Sequence, residues 1–377
     1  MFALATALEA VRFCTSRCYL IDWSASTSLT TVPLVSNQAQ LDGHIRRHEP
    51  AVLHHVLHHW PAVNKWTPAW FGRALGSTVV EVFFWGRSGA DWRRTRVFGL
   101  RLSQYAHLLE IYADRARRLG AERAGPAPYL QEDEALFAEH EALLLPDVAH
   151  LPFRPYLQDA ADPANHASGM DTETAFWMGP ANARTGIHWD SVDAILHQLH
   201  GTKRLTLWPP AARPDLYPSQ KYNHGAELSS VDAAAPNLTA FPRFAHAKSL
   251  EVTLPAGSAL YLPAGWWHAV TSLDTTISLA LRSQSACERR AALADDVLQW
   301  LHNRGLYRRG NCVCHRDLAA EAAEAAEAGG GADGDDGLGG AIDELLRSAG
   351  VDSRQAKAQV AMDDQDVEVA GGDEDDG

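Results

Sequence analysis

In the stretch RTGIHWDSVD, residues 184–193, His188 and Asp190 stand two residues apart. Side chains two apart on a β-strand share a face, so an imidazole and a carboxylate converge there on one point. Such a pair offers two donors to a divalent metal ion. By itself it decides nothing, because a histidine beside a strand is usually satisfied by ordinary hydrogen bonds. A third donor lies far downstream, in LPAGSALYLPAGWWH, residues 254–268. Gly257 allows a tight turn there, and Leu260 and Leu262 feed one face of a strand. Pro263 and Gly265 then turn the chain sharply, which presents His268 at the start of the next strand.

Two histidines and one carboxylate on one face of a metal leave coordination positions open. That is the facial triad of non-haem Fe(II) oxygenases. The elements that must position it are short strands. After Pro163 the chain runs through TAFWMGP, ARTGIHWD, AILHQLHG, KRLTLWPP, SLEVTLPAG, SALYLPAG, WWHAVTSLD and TTISLALRS, punctuated by Gly and Pro. This texture predicts a β-sandwich or barrel, the class that contains jelly rolls and cupins. Before it, QLDGHIRRH and LRLSQYAHLLEIYADRARRLG read as helices around a β-rich run, VVEVFFW (79–85). PYLQEDEALFAEHEALLLPDV then gives a short extended piece and a helix, and a further helix is expected over 286–306.

The Gly257, Pro263-x-Gly265 and His268 spacing resembles the second signature motif of the cupin superfamily. Together with FWMGPANARTGIHWDSVDAILHQLHGTKRLTLWPPAARPDLYP, it resembles the JmjC-type, cupin-fold 2-oxoglutarate oxygenases, in particular their small protein-hydroxylase branch. The upstream segment PAVLHHVLHHWPAVNKWTPAWF is similar to an early segment of the same family, and the resemblance covers about residues 48–300. It implies a mainly β double-stranded β-helix with flanking N-terminal helices and a C-terminal helix. It further implies Fe(II) held by His188, Asp190 and His268. The distal carboxylate of 2-oxoglutarate would be taken by Lys203, Thr185 and Tyr129. Arg204 is the rival for Lys203 if the register slips by one, and Arg282 is a weaker one. The implied reaction uses O2, decarboxylates 2-oxoglutarate to succinate and CO2, and hydroxylates a C–H bond, with a protein side chain as the leading substrate. Ala194 and Ala280 stand where the hydroxylase that modifies asparagine carries amides near the cosubstrate. Trp189, bulky between two ligands, is expected to line the substrate entrance. The alternatives are tRNA hydroxylation, histone-lysine demethylation, and a cupin that binds metal without turnover or takes Zn.

The domain boundaries follow from composition. Residues 1–36 read as a leader, 37–310 as the oxygenase domain with a jelly-roll core at about 164–285, and 318–377 as an acidic, low-complexity tail that is largely disordered. A short helix is expected within that tail around 341–356. The net charge of -14 resides in this tail, since residues 1–317 carry equal numbers of acidic and basic side chains. It therefore says nothing about the substrate. Five cysteines are too few and too unevenly spaced for a disulfide framework, which points to a reducing compartment, cytoplasmic or nuclear. The Ser/Thr-rich opening bears a weak likeness to an organelle transit peptide. No apolar run is long enough to span a membrane. His54, His55, His58 and His59, and separately Cys312, Cys314 and His315, invite second metal sites. The alternatives are an ordinary strand or turn for the histidines and a pair of reduced cysteines after the last helix. The basic stretches 86–101 and 114–123 raise a nucleic-acid patch against a solvated face. The helix over 286–303 raises a homodimer against ordinary core packing.

Overall fold

The protein is described by a computed structural model over Ser24 and residues 27–84, 96–120, 123–148, 171–219, 226–284, 297–307 and 338–357. Its strands are β1 (Leu34–Val35), β2 (Ala51–Leu53), β3 (Val79–Phe84), β4 (Arg96–Arg101), β5 (Pro128–Asp133), β6 (Asp171–Gly179), β7 (Arg184–Asp190), β8 (Asp193–His200), β9 (Thr202–Trp208), β10 (Ala226–Leu228), β11 (Leu250–Pro255), β12 (Ser258–Leu262), β13 (Trp267–Ser272) and β14 (Thr276–Gln284). They form a larger sheet in the order β1-β2-β12-β8-β14-β6-β5-β3-β4 and a smaller one in the order β10-β7-β13-β9-β11. Four antiparallel strands of each, β12-β8-β14-β6 and β7-β13-β9-β11, make the jelly roll. All eight predicted runs are strands; β1, β4 and β10 were not foreseen.

Alternation along the strands builds two cores. On the outer face of the larger sheet, Phe176, Met178, Ile195, Leu199, Tyr261, Ile277 and Leu279 pack against the N-terminal helices. These include α1 (Gln38–Arg47), α2 (Pro61–Lys65), α3 (Pro68–Ala74) and α4 (Leu102–Leu119). On its inner face, Leu260 and Leu262 meet Leu205, Leu207, Leu250 and Leu254 of the smaller sheet. Leu29, Val32 and Val35, placed in the leader by composition, belong to these clusters and pack on the fold. Leu205 and Leu262 of this second core also line a pocket inside the sandwich.

A glycine makes one of the tight connections feasible. Gly201 turns β8 into β9 at φ +68°, and a Cβ there would sit 2.1 Å from the Thr275 carbonyl oxygen. Gly201→Ala combines left-handed backbone with a backbone clash, so it is expected to lower stability by about 2 kcal/mol or more. Urea unfolding would show this as a lower midpoint at unchanged slope.

Within the acidic C-terminal stretch, α5 (Leu338–Ser348) lies against α4. Ile342, Leu345 and Leu346 are buried in the main hydrophobic cluster, and Arg115 pairs with Glu344 at 3.0 Å. The expected short helix is present. Most of the rest of that tail, along with Cys312, Cys314, His315 and residues 286–296, lies outside the described residues. In the helical stretch 297–303, Leu298 and Leu301 are buried within the chain itself, which is the core-packing alternative to a dimer face. Among the described residues no helix is long and apolar enough to cross a membrane.

Candidate metal centre and cosubstrate pocket

β7 and β13 are neighbours in the smaller sheet, and His188 is registered directly opposite His268. Asp190 lies two residues beyond His188 on the same face. The His188 and His268 ring centroids are 4.0 Å apart. His188 Nε2 lies 3.9 Å from one Asp190 oxygen and His268 Nε2 lies 3.8 Å from the other. One donor atom from each residue falls within 4.8 Å of the others, the one such group of three or more His, Cys, Asp or Glu among the described residues. The expected triad is therefore assembled in space.

The donor set fits a divalent ion. Each ring points its Nδ1 at a backbone carbonyl two residues back, His188 at Gly186 (2.9 Å) and His268 at Trp266 (3.1 Å). A neutral ring donating Nδ1–H there presents its Nε2 lone pair inward, which is how outer partners orient metal-binding histidines. Burial, reinforced by the His188 ring, pushes His268 down to about 3, so it stays neutral. Burial alone would raise the Asp190 carboxyl. The facing His188 and His268, with Arg282, outweigh that effect and hold it below the usual carboxylate range. His268 and Asp190 are thus in the deprotonated form that a metal requires.

The triad lines a pocket of about 590 Å3, counting its open mouth. The same pocket is lined by Lys203, Tyr129 and Thr185, the three residues expected to hold the cosubstrate carboxylate. Lys203 shares a face of β9 with Leu205 and Leu207 and is 2% exposed, whereas Arg204 points to solvent. The register thus favours Lys203 over its rival. Its Nζ lies 3.4 Å from the Tyr129 hydroxyl, which also engages the Thr185 side chain. No carboxylate pairs with Lys203 among the described residues, and burial pushes its ammonium down to about 7. A buried cation of this kind is a receptor for an anion.

Tyr129 owes its place to Gly179, the last residue of β6. A Cβ at 179 would come within 2.5 Å of the Tyr129 ring. Gly179→Ala is expected to push the ring off Lys203 and Thr185 and weaken 2-oxoglutarate binding about tenfold, the effect of losing one neutral hydrogen bond of about 1.5 kcal/mol. Isothermal titration of the metal-loaded variant checks this.

Other sequence expectations sort as follows. Ala194 and Ala280 do line the pocket, and with Leu196, Leu205, Leu262 and Val270 they give it an apolar wall. Arg282 lines the same pocket but is engaged by Glu132 and by Glu134 (3.4 Å). Trp189 does not line the entrance. Strand alternation turns it to the outside of the sheet, where its indole N–H donates to Glu227 at 3.0 Å and its ring packs on the cluster that contains Ile187, Trp208 and Trp267. The four histidines 54, 55, 58 and 59 fall in an exposed turn and are not gathered into a ligand set. In the basic stretch of α4, Arg117 and Arg118 pair with Asp114, and Arg115 with Glu344, which is the solvated-face alternative to a nucleic-acid patch. Residues 86–95 lie outside the described residues. The sequence reading missed Trp177, whose ring stands 5.7 Å from Lys203 Nζ and 5.8 Å from the Arg282 guanidinium. The signal was available: Phe176 and Met178 are core, so the residue between them must face the pocket.

A model of the cupin-like domain matches residues 36–281, which is well over half of the chain. The chain belongs to the cupin-like family of JmjC oxygenases. It is similar to the lysine-specific demethylase JMJ31 of Arabidopsis thaliana, 41% identical over 112 residues, or 29% of this chain and 20% of that protein. It also resembles the human bifunctional peptidase and (3S)-lysyl hydroxylase JMJD7, 29% identical over 254 residues, or 61% of this chain and 75% of the relative. Lysine-specific demethylase 8 of Xenopus tropicalis is 28% identical over 249 residues, or 63% of this chain and 49% of the relative. The match thus spans a fifth, three quarters and about half of these three proteins.

Proposed function

We propose that the protein is a 2-oxoglutarate-dependent oxygenase that hydroxylates a C–H bond of a protein side chain. The observation that carries the reading is the placement of a buried, carboxylate-free Lys203 in the same pocket as a His-Asp-His triad. His188, Asp190 and His268 would hold Fe(II). Lys203, Tyr129 and Thr185 would take the distal carboxylate of 2-oxoglutarate. When bound, the metal with 2-oxoglutarate and O2 supplies the oxidising equivalent, with release of succinate and CO2.

The chain's own contribution is positional and electrostatic. Asp190 would offset the charge of the ion, and His188 and His268 would hold it beside Asp190, a donor set that leaves coordination positions open. Leu196, Leu205, Leu262, Val270, Ala194 and Ala280 keep water from the bound cosubstrate. Lys203 fixes one end of the cosubstrate so that its other end lies toward the triad. Two relatives are named as lysine-specific demethylases and one as a lysyl hydroxylase, so lysine-containing peptides are the first substrates to test. Incubation with Fe(II), 2-oxoglutarate and such peptides, read by mass spectrometry, is expected to show gain of one oxygen. Loss of a methyl group from methylated peptides, with formaldehyde released, would assign the demethylase alternative instead. Metal binding without any consumption of 2-oxoglutarate would leave the non-catalytic cupin.

The titration of Lys203 gives this reading a pH dependence. Burial has lowered its affinity for a proton, and a bound carboxylate restores it. Cosubstrate affinity is therefore expected to be full below about pH 7. Above that it falls by up to about tenfold per pH unit, with uptake of close to one proton on binding. Titration calorimetry at pH 8 in two buffers of different ionisation enthalpy measures that uptake directly. Equal heats in both buffers would contradict it.

A further inference from the structure

The two imidazoles of the triad are locked together by the β7–β13 ladder, but Asp190 is not. It is the last residue of β7, and its ladder partner is Ala226 on β10, on the side away from His268. The Asp190–His268 separation must be set by other contacts. Two turns meet at this point. One runs from Asp190 to Asp193, where the chain leaves the smaller sheet for the larger. The other runs from Leu262 to Trp267 and brings it back toward His268.

Two hydrogen bonds join them, and a third ties Asp193 to the end of β12. The Asp190 carbonyl accepts from the Gly265 N–H at 3.0 Å. One side-chain oxygen of Asp193 accepts from the Ala264 N–H at 2.8 Å, and the other accepts from the Tyr261 hydroxyl at 2.9 Å. Asp193 is 4% exposed. Burying a carboxyl is costly unless its oxygens are satisfied, so these contacts hold it firmly once made. The Gly265 and Ala264 contacts end on the turn whose exit carries His268, and the Tyr261 contact ends on β12, the strand that leads into it; each spans about seventy residues of chain.

From this geometry we infer that Asp193 is a positioning residue for the metal centre. It never touches the ion, but by pinning the Pro263–Trp266 turn to the start of β8 it fixes how far His268 stands from Asp190. The inference rests on the reading of the triad as a metal site. It adds a residue that controls the site's geometry from the opposite end of the turn.

The test uses Co(II) alone as the probe, because its visible absorption reports coordination geometry without turnover. Asp193→Leu keeps the size of the side chain and removes both acceptors. It is expected to weaken Co(II) affinity by roughly 10–100-fold, the usual effect of losing an outer partner, and to change the visible spectrum. Asp193→Asn is expected to behave as wild type. Its amide oxygen can accept from Ala264, and its NH2 can donate to the Tyr261 oxygen. Thermal unfolding of the metal-free variants runs alongside. A purely structural role would lower Tm and leave Co(II) affinity and spectrum intact in the folded fraction, and that result would overturn the inference. So would an equal loss in Asp193→Asn. Should Asp193→Leu fail to fold, Asp193→Ala decides on the same readout. Wild-type protein that takes up no Co(II) would instead remove the metal reading itself, and the inference with it.

Discussion

Asp190→Ala is expected to cost more than about 100-fold in Fe(II) affinity and to abolish 2-oxoglutarate turnover. Loss of an outer partner of a metal ligand typically costs 10–100-fold, and loss of a ligand itself must exceed that. Asp190 matters more than either histidine because it is the only anionic donor of the triad, and the pocket also contains the cations of Lys203 and Arg282. Without it, a divalent ion would have only two imidazoles to hold it and no anionic donor from the triad. The metal-free variant is expected to fold, since the change removes a desolvated carboxyl rather than a packed apolar group. Chelator competition measures the affinity, and circular dichroism confirms the fold. Retention of stoichiometric, tight Fe(II) in Asp190→Ala would place the metal elsewhere.

The second large effect is at Lys203. Lys203→Met keeps the length and apolar stem of the side chain and removes its charge, so packing against Trp177 and Tyr129 is retained. Removing one partner of a buried, hydrogen-bonded charge pair costs about 2–5 kcal/mol. That corresponds to a rise of roughly 30- to several-thousand-fold in the 2-oxoglutarate dissociation constant. Fe(II) affinity should stay near wild type, because Lys203 is not among the clustered donors. The variant is also expected to gain stability, since it no longer buries an ammonium without a counter-ion. The split between lost cosubstrate and kept metal is what distinguishes this residue from a general structural one.

How far the sequence carried these conclusions depends on the range of each interaction. The triad was legible because its determinants are local: period-two alternation around His188 and Asp190, and the Gly257-to-Gly265 turn chemistry before His268. Both glycines do adopt positive φ. Lys203 was legible once KRLTLW was read as a strand, since Leu205 and Leu207 fix which face is inside. Trp189 was misplaced although the same alternation contradicts that placement, because residues on either side of it point inward. The Arg282–Glu132 pairing was not legible. It joins residues 150 positions apart and relies on a left-handed backbone at Glu132 that no local signal predicts. Nor were the contacts of Asp193, whose partners Tyr261 and Ala264 lie about seventy residues on, in β12 and the turn after it. In the acidic tail, composition pointed to disorder, while the Ile342, Leu345, Leu346 spacing marks the one stretch with an apolar face to bury.

The most direct test of the whole account is anaerobic addition of 2-oxoglutarate to Fe(II)-loaded protein, followed in the visible region. A charge-transfer band should appear on cosubstrate addition in wild type, require much higher 2-oxoglutarate in Lys203→Met, and be absent in Asp190→Ala. Tight Fe(II) binding in wild type with no band at saturating 2-oxoglutarate would contradict it. That outcome would mean the triad holds a metal but the Lys203 pocket does not receive the cosubstrate.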